Sequence, residues 1–293
     1  MAEVTAEKLD RADNTHKMHQ TDEAVARGRH GKGVVMVTGG SRGIGAATAR
    51  LAAAHGNAVC VNFTSDRSAA QRVVDEIVTG GGRAIAVQAD VADEADVVRL
   101  FATCDRELGP VTALVNNAGV VAPAARVDQM DAERIMRLLR INVLGSFLAA
   151  REAIRRMSTL HGGSGGVIVN ISSAAARLGS AGEYVDYAAS KGAVDTMTLG
   201  LAREVATEGI RVVAIRPGLI ATDIHESQGA VGRLARLEPQ IPVKRAGSPE
   251  EVAQVAVWMI GDGASYVTGT ILDVDGGSSV GDAGRMDMAR GLG

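Results

Sequence analysis

Aromatic side chains are nearly absent from this chain: they make up 2 % of its 293 residues, with one Trp, three Tyr and three Phe. A core must therefore come from Ala, Val, Ile and Leu, and a hydrophobic content of 46 % allows a large one. Cysteine is also scarce. Cys60 lies in an apolar run and Cys104 in a helical pattern. Their separation excludes a CxxC metal or redox motif, and two buried, reduced thiols are expected. The His residues are scattered without an HxxxH or HExxH pair, so no metal site is expected. No block of one charge sign occurs, and the formal net charge is only -3. Nucleic acid and anionic membrane surfaces are therefore not expected partners. No apolar run approaches the roughly 20 residues needed to span a bilayer. Residues 1–32 lack the apolar segment of a secretory signal. They read as a flexible extension, and residues 279–293 as an irregular tail. A cytoplasmic protein with one domain over residues 33–278 is expected.

Glycine, by contrast, is abundant, at 36 residues. Between the two ends, short apolar runs alternate with amphipathic ones. Strands are expected at Val34–Val37, Ala58–Asn62, Ala84–Gln88, from Ala113 through Val115, and at Val167–Ile171, Val212–Ile215 and Thr270–Val274. Helices are expected at Ile44–His55, Asp66–Thr79, Glu94–Leu108, Asp131–Met157, Tyr187–Thr207 and Pro249–Met259. Strands without polar alternation belong to a sheet covered on both faces. Strict strand–helix alternation predicts right-handed crossovers in a parallel sheet. The expected class is α/β: a Rossmann-type, doubly wound sheet of about seven strands. Its ligand crevice should lie at the carboxyl ends of the strands.

The first strand runs into Thr38-Gly39-Gly40-Ser41-Arg42-Gly43-Ile44-Gly45, and a helix pattern begins at once. One Gly would suit a tight turn. Four in seven positions suit a turn that lets a pyrophosphate approach the backbone and the free N–H groups of a helix start. The spacing is not GxGxxG, however, but Thr-Gly-x-x-x-Gly-x-Gly. Further motifs follow in order. Asn116-Asn117-Ala118-Gly119 closes the fourth strand, and Asn142 sits on the long helix. Asn170-Ile171-Ser172-Ser173 ends the fifth strand. Tyr187-Ala188-Ala189-Ser190-Lys191 is a YxxxK, and Pro217-Gly218 with Ile220 and Thr222 follows strand six.

Together these motifs resemble the short-chain dehydrogenase/reductase family over residues 33–277, including its sugar/alcohol dehydrogenase and 3-oxoacyl carrier-protein reductase branches. The resemblance implies an NAD(P)(H)-dependent oxidoreductase acting on a carbonyl/alcohol pair. Tyr187 would be the general acid/base. Lys191 would assist it and bond the nicotinamide ribose. Ser173 would hold the substrate oxygen, and Asn142 a helix kink and a proton-relay water. Ser173 is preferred to Ser172, and Tyr184 lacks a lysine four residues on. Tyr187 and Lys191 share one helix face, and an ammonium there is expected to favour the phenolate. Cofactor contacts are implied for Gly39, Ser41, Arg42, Gly43, Ile44, Gly45, Thr64, Asp90, Val91, Asn117, Ala118, Gly119, Pro217, Gly218, Ile220 and Thr222. Asn116–Gly119 also reads as a plain turn, and Asp90 as part of a helix cap near Asp93.

No carboxylate occupies the tip of strand two, where one would repel a 2′-phosphate. Asp66 reads instead as a helix cap, and Arg42 or Arg67 could meet the phosphate. NADP(H) is therefore expected, with NAD(H) as the alternative. Residues 224–246 correspond to the family's substrate loop, and their charges at His225, Glu226, Arg233, Arg236 and Lys244 also suit a solvated helical face. The substrate, a small carbonyl or alcohol, is left unassigned. Family resemblance further implies a homotetramer or dimer through the long helix and the Tyr187 helix. The competing reading is a non-catalytic nucleotide-binding regulator on the same fold.

Overall fold

The computed structural model describes residues 33–222 and 232–280. The expected extension at 1–32, the tail after Val280, and His225 and Glu226 lie outside the described residues. Seven parallel strands form one sheet: β1 Val34–Val37, β2 Ala58–Phe63, β3 Arg83–Gln88, β4 Ala113–Asn116, β5 Gly166–Ile171, β6 Ile210–Pro217 and β7 Ile271–Val274. Their order is β3-β2-β1-β4-β5-β6-β7. The chain turns back between β1 and β4, which puts the topological switch point beside the glycine turn.

The helices are α1 Gly43–Ala54, α2 Arg67–Thr79, α3 Glu94–Glu107, α4 Ala132–Leu139, α5 Gly145–Met157, α6 Ala175–Leu178, α7 Val185–Glu204, α8 Arg233–Leu237 and α9 Pro249–Ile260. Alternate residues along each strand point to opposite faces, so the sheet carries two cores. Val35, Val37, Val59, Val61, Val213 and Ile215 pack with α1, α2 and α9. Met36, Cys60, Leu114, Ile168 and Val212 pack with α3, α5 and α7. Cys60 and Cys104 are both buried and unbridged, as expected. Among the described residues, no helix is long and apolar enough to cross a membrane, and no His/Cys/Asp/Glu cluster could hold a metal.

Local chemistry sets the helix starts. Asp66, Asp93 and Asp131 each accept a backbone N–H from the third residue beyond, the N-cap arrangement. Ser248 and Glu251 form a capping box ahead of α9, with Pro249 in its first turn. One expected element is broken. The helix expected from Asp131 to Met157 is interrupted by a π-helical turn, Arg140–Leu144, where the family resemblance implies a kink at Asn142. Asn142 is fully buried in that turn. Its amide donates to the Val120 carbonyl at 2.9 Å and accepts the Val120 N–H at 2.8 Å. A side chain that binds a neighbouring loop like a strand edge favours the wider turn, and π-bulges gather at functional positions.

Candidate active site

A cleft of about 1280 Å³ runs along the carboxyl ends of the strands. One end is made largely of backbone. Gly39, Ser41, Arg42, Gly43 and Ile44 line it at the start of α1. Gly39 has φ +61°, and a Cβ there would lie 3.0 Å from the Ala118 Cα. Gly45 does not line the cleft but supports the turn from inside. A Cβ on it would lie 2.4 Å from the Gly39 carbonyl and 2.5 Å from the Asn117 amide. Both positions therefore require glycine for the turn to close.

Neighbouring residues hold this cradle. Asn117 Nδ2 donates to the carbonyls of Thr38 and Gly39, both at 3.0 Å. The Thr38 hydroxyl accepts the N–H groups of Asn117 and Ala118, also at 3.0 Å. Asn62, buried at the end of β2, accepts the Gly39 N–H at 3.1 Å and donates to the Ala89 carbonyl at 3.0 Å. The turn behaviour expected of Asn116–Gly119 and its place beside the glycine turn thus hold together. The cradle, with its helix start, fits the pyrophosphate of a dinucleotide.

Further along, Phe63, Thr64, Ser65, Asp66, Asp90 and Val91 form the next wall. Asp66 is occupied in capping α2: its Oδ1 accepts the Ala69 N–H at 2.8 Å. Asp90 both lines the cleft and shapes its own turn, accepting the Ala92 N–H at 2.9 Å. Arg67 lies over the Phe63 ring, 5.6 Å from its centroid. Arg42 is exposed at the mouth.

The other end is made of side chains. Tyr187 and Lys191 come from α7, Ser173 from the end of β5, and Pro217, Gly218, Ile220 and Thr222 from the segment after β6. Ser173 hydrogen-bonds the Tyr187 phenol. Ser172 does not reach the cleft chemistry in the same way: its hydroxyl donates to the Lys191 carbonyl at 3.2 Å, which fixes the helix. Lys191 Nζ donates to the Ile171 carbonyl at 2.7 Å and lies 5.8 Å from the Tyr187 ring centroid. A Cβ on Gly119 would lie 3.4 Å from both Lys191 Nζ and Asn142 Oδ1, so these groups converge. Asn142 stays behind the cleft wall, donating to the Ser190 hydroxyl at 3.0 Å. The start of α7 is fixed by Asp186, which accepts the Tyr187 N–H at 2.9 Å and pairs with Arg134 at 2.8 Å.

The electrostatics correct one expectation. Burial pushes the Tyr187 phenol above its usual pKa, and the Ser173 hydrogen bond only partly opposes that. The lysine ammonium is directed at the Ile171 carbonyl. Lys191 itself is lowered to about 8, because burial disfavours its charge while Asp195 favours it. At neutral pH the site therefore holds a protonated phenol beside an ammonium.

Several lining residues escape the sequence motifs. Val120 and Val121 directly follow Gly119. Arg137 and Ile141 are one helical turn apart on α4 and the π turn. Ile241 and Pro242 close the far wall. Tyr184 also lines the cleft. The first pair carries a sequence signal in its adjacency to a motif, and the last pair in lying within the expected substrate loop at 224–246.

Comparison with known proteins agrees with this fold. A family model described as enoyl-(acyl carrier protein) reductase matches residues 39–279. The oxidoreductase YgfF of Escherichia coli strain K12 is 54 % identical over 244 residues, covering 83 % of this chain and 99 % of that one. A short-chain dehydrogenase/reductase from Serratia marcescens superposes with a TM-score of 0.78 at 32 % identity, covering 85 % of this chain and 99 % of that one. A blue fluorescent protein from a metagenomic library, in complex with NADPH, superposes with a TM-score of 0.78 at 35 % identity, covering 85 % and 98 %.

Proposed function

The chain belongs to the short-chain dehydrogenase/reductase family of oxidoreductases, and from that premise we propose that it interconverts a ketone or aldehyde with an alcohol, using NAD(P)(H) and the Tyr187 phenol. The observation that carries this reading is the meeting of Ser173, Tyr187 and Lys191 at one end of a cleft whose other end is the glycine cradle. A bound nicotinamide would supply the hydride. The chain's own residues do the rest. Ser173 holds the carbonyl oxygen by hydrogen bond. Tyr187 donates its hydroxyl proton to that oxygen in reduction and takes it back in oxidation. Lys191 stabilises the phenolate left behind and would bond the nicotinamide ribose hydroxyls. Asn142 keeps the π turn and the Val120 loop in place behind them. The phenol is protonated at neutral pH, so the proton for reduction is present.

The cofactor assigned is NADP(H), with NAD(H) as the alternative. Support comes from the tip of β2, where Asp66 is spent on a helix cap and Arg42 is exposed beside the cleft. Equal or higher kcat/KM with NADH than with NADPH would overturn this assignment. The assembly assigned is a homotetramer or dimer. Exposed Met136, Leu139 and Phe147 on α4 and α5, with Leu199 on α7, supply apolar contact area. The substrate is a sugar or polyol, another secondary alcohol, or a 3-oxoacyl thioester.

The function is tested by following reduced-nicotinamide absorbance with a panel of ketones, sugars and acyl thioesters. Loss of absorbance with at least one is expected. No loss with any, despite NADPH binding, would favour a non-catalytic nucleotide-binding regulator.

A further inference from the structure

Lys191 is almost fully buried, and so is Asp195, one helical turn further along α7. Two buried opposite charges four residues apart share one helix face. Asp195 Oδ2 accepts two N–H groups of Arg216 on β6, at 3.0 and 2.9 Å. Asp195 Oδ1 is buried with no hydrogen-bond partner among the described residues. A buried carboxylate oxygen without a donor costs free energy, and folded proteins keep few of them. An uncharged Asn or a shorter polar residue could bond Arg216 without leaving an orphaned charge. A carboxylate at this buried position, with one oxygen unpartnered, points to a role for its charge beyond its hydrogen bonds.

We propose that Asp195 is a positioning residue for the proton-transfer site: its buried carboxylate supplies the fixed negative charge that holds Lys191 as an ammonium beside Tyr187. The inference rests on the reading of Lys191 as the cation of the catalytic site. The electrostatic setting agrees in sign, since burial opposes the Lys191 charge and Asp195 favours it. Other charges around Lys191 are few. On α7 there is Tyr187. Behind Asp195 stand Arg216, Asp273 on β7 and Arg177 on α6, linked in a row by contacts of 3.5 and 2.7 Å. Asp186 is paired with Arg134. The end of β5 and Gly119 bring the Ile171 carbonyl and the Asn142 amide close, and Arg137 on α4 lines the same cleft. Asp195 is thus the anion one helical turn from Lys191 on α7, and Arg216 is the cation paired with it.

That pairing gives variants of opposite sign. Asp195→Asn removes the anion and should lower the Lys191 titration midpoint from about 8 by about one pH unit or more. Arg216→Gln removes the opposing cation and should raise it. Asp195→Glu keeps the charge and should leave the midpoint near its original value. The midpoint is read directly by NMR titration of the full chain carrying 13C-labelled lysine. Its lysines are only Lys8, Lys17, Lys32, Lys191 and Lys244, and Lys191→Met assigns the resonance.

In parallel, the high-pH fall of kcat/KM in the reductive direction should follow the same midpoint. An unchanged Lys191 midpoint in Asp195→Asn, or a shift of the same sign in Asp195→Asn and Arg216→Gln, would overturn the proposal. Should Asp195→Asn fail to fold, Arg216→Gln and Asp195→Glu decide: a lowered midpoint in either contradicts it. The NMR result stands without turnover, so failure of this proposal and failure of the oxidoreductase reading are separable.

Discussion

Around β1 and β2 the cleft is made of backbone, while around β5 and α7 it is made of buried side chains. In the first region, glycines and N–H groups form the wall, and Asn62, Thr38 and Asn117 only hold that backbone in shape. In the second, Ser173, Tyr187 and Lys191 present functional groups, and Asn142 and Asp186 fix the elements that carry them. A backbone wall suits a ligand part common to many enzymes, because it needs only shape and N–H donors. A reacting centre needs protons and charges of chosen strength, which only side chains in a low-dielectric setting provide. Damage to the first region should therefore appear in cofactor affinity, and damage to the second in rate.

Substitutions can break or sharpen this contrast. Ser173→Ala should lower kcat by roughly 10²- to 10³-fold, the usual cost of losing a donor to a reacting oxygen, with NADPH affinity kept. A fall in affinity instead would erase the contrast. Gly45→Ala should do the reverse. Its Cβ would crowd the Gly39 carbonyl at 2.4 Å, at a cost of about 1–3 kcal/mol. That reads as a loss of roughly 10- to 100-fold in NADPH affinity, while turnover at saturating cofactor falls little.

Lys191→Met should abolish turnover yet stabilise the fold. The folded pKa of about 8 lies below the usual 10.5, so the unfolded chain binds the proton more tightly. The burial penalty is therefore fully present below pH 8 and disappears as pH rises towards 10.5. Urea unfolding at pH 7 should show a gain of about 1–2 kcal/mol, shrinking through that window. Arg42→Ala should have the smallest effect, lowering kcat/KM for NADPH about tenfold with little change for NADH.

Much of this was legible in the sequence, for reasons that differ by element. The strands were visible because a sheet covered on both faces needs apolar runs. The glycine turn and YxxxK were visible because their chemistry depends on local spacing. The π turn was legible only as the kink at Asn142 that the family resemblance implies, because its cause, Asn142 reaching Val120 across the fold, leaves no local pattern. The Asp195–Arg216 pair joins α7 to β6 and left no local pattern. Spacing also misjudged the phenol: it placed an ammonium near Tyr187 but could not show the burial that dominates. The far walls at Ile241 and Pro242 come from a segment with no motif of its own.

Division of labour within the cleft is tested most directly in Tyr187→Phe, by measuring the NADPH dissociation constant and the single-turnover rate of carbonyl reduction on the same preparation. The ring remains to fill its space, and only the proton donor is lost. Affinity within about threefold of the original, with the rate down by roughly 10²- to 10⁴-fold, is the predicted result. A rate that survives, or a loss confined to affinity, would contradict it.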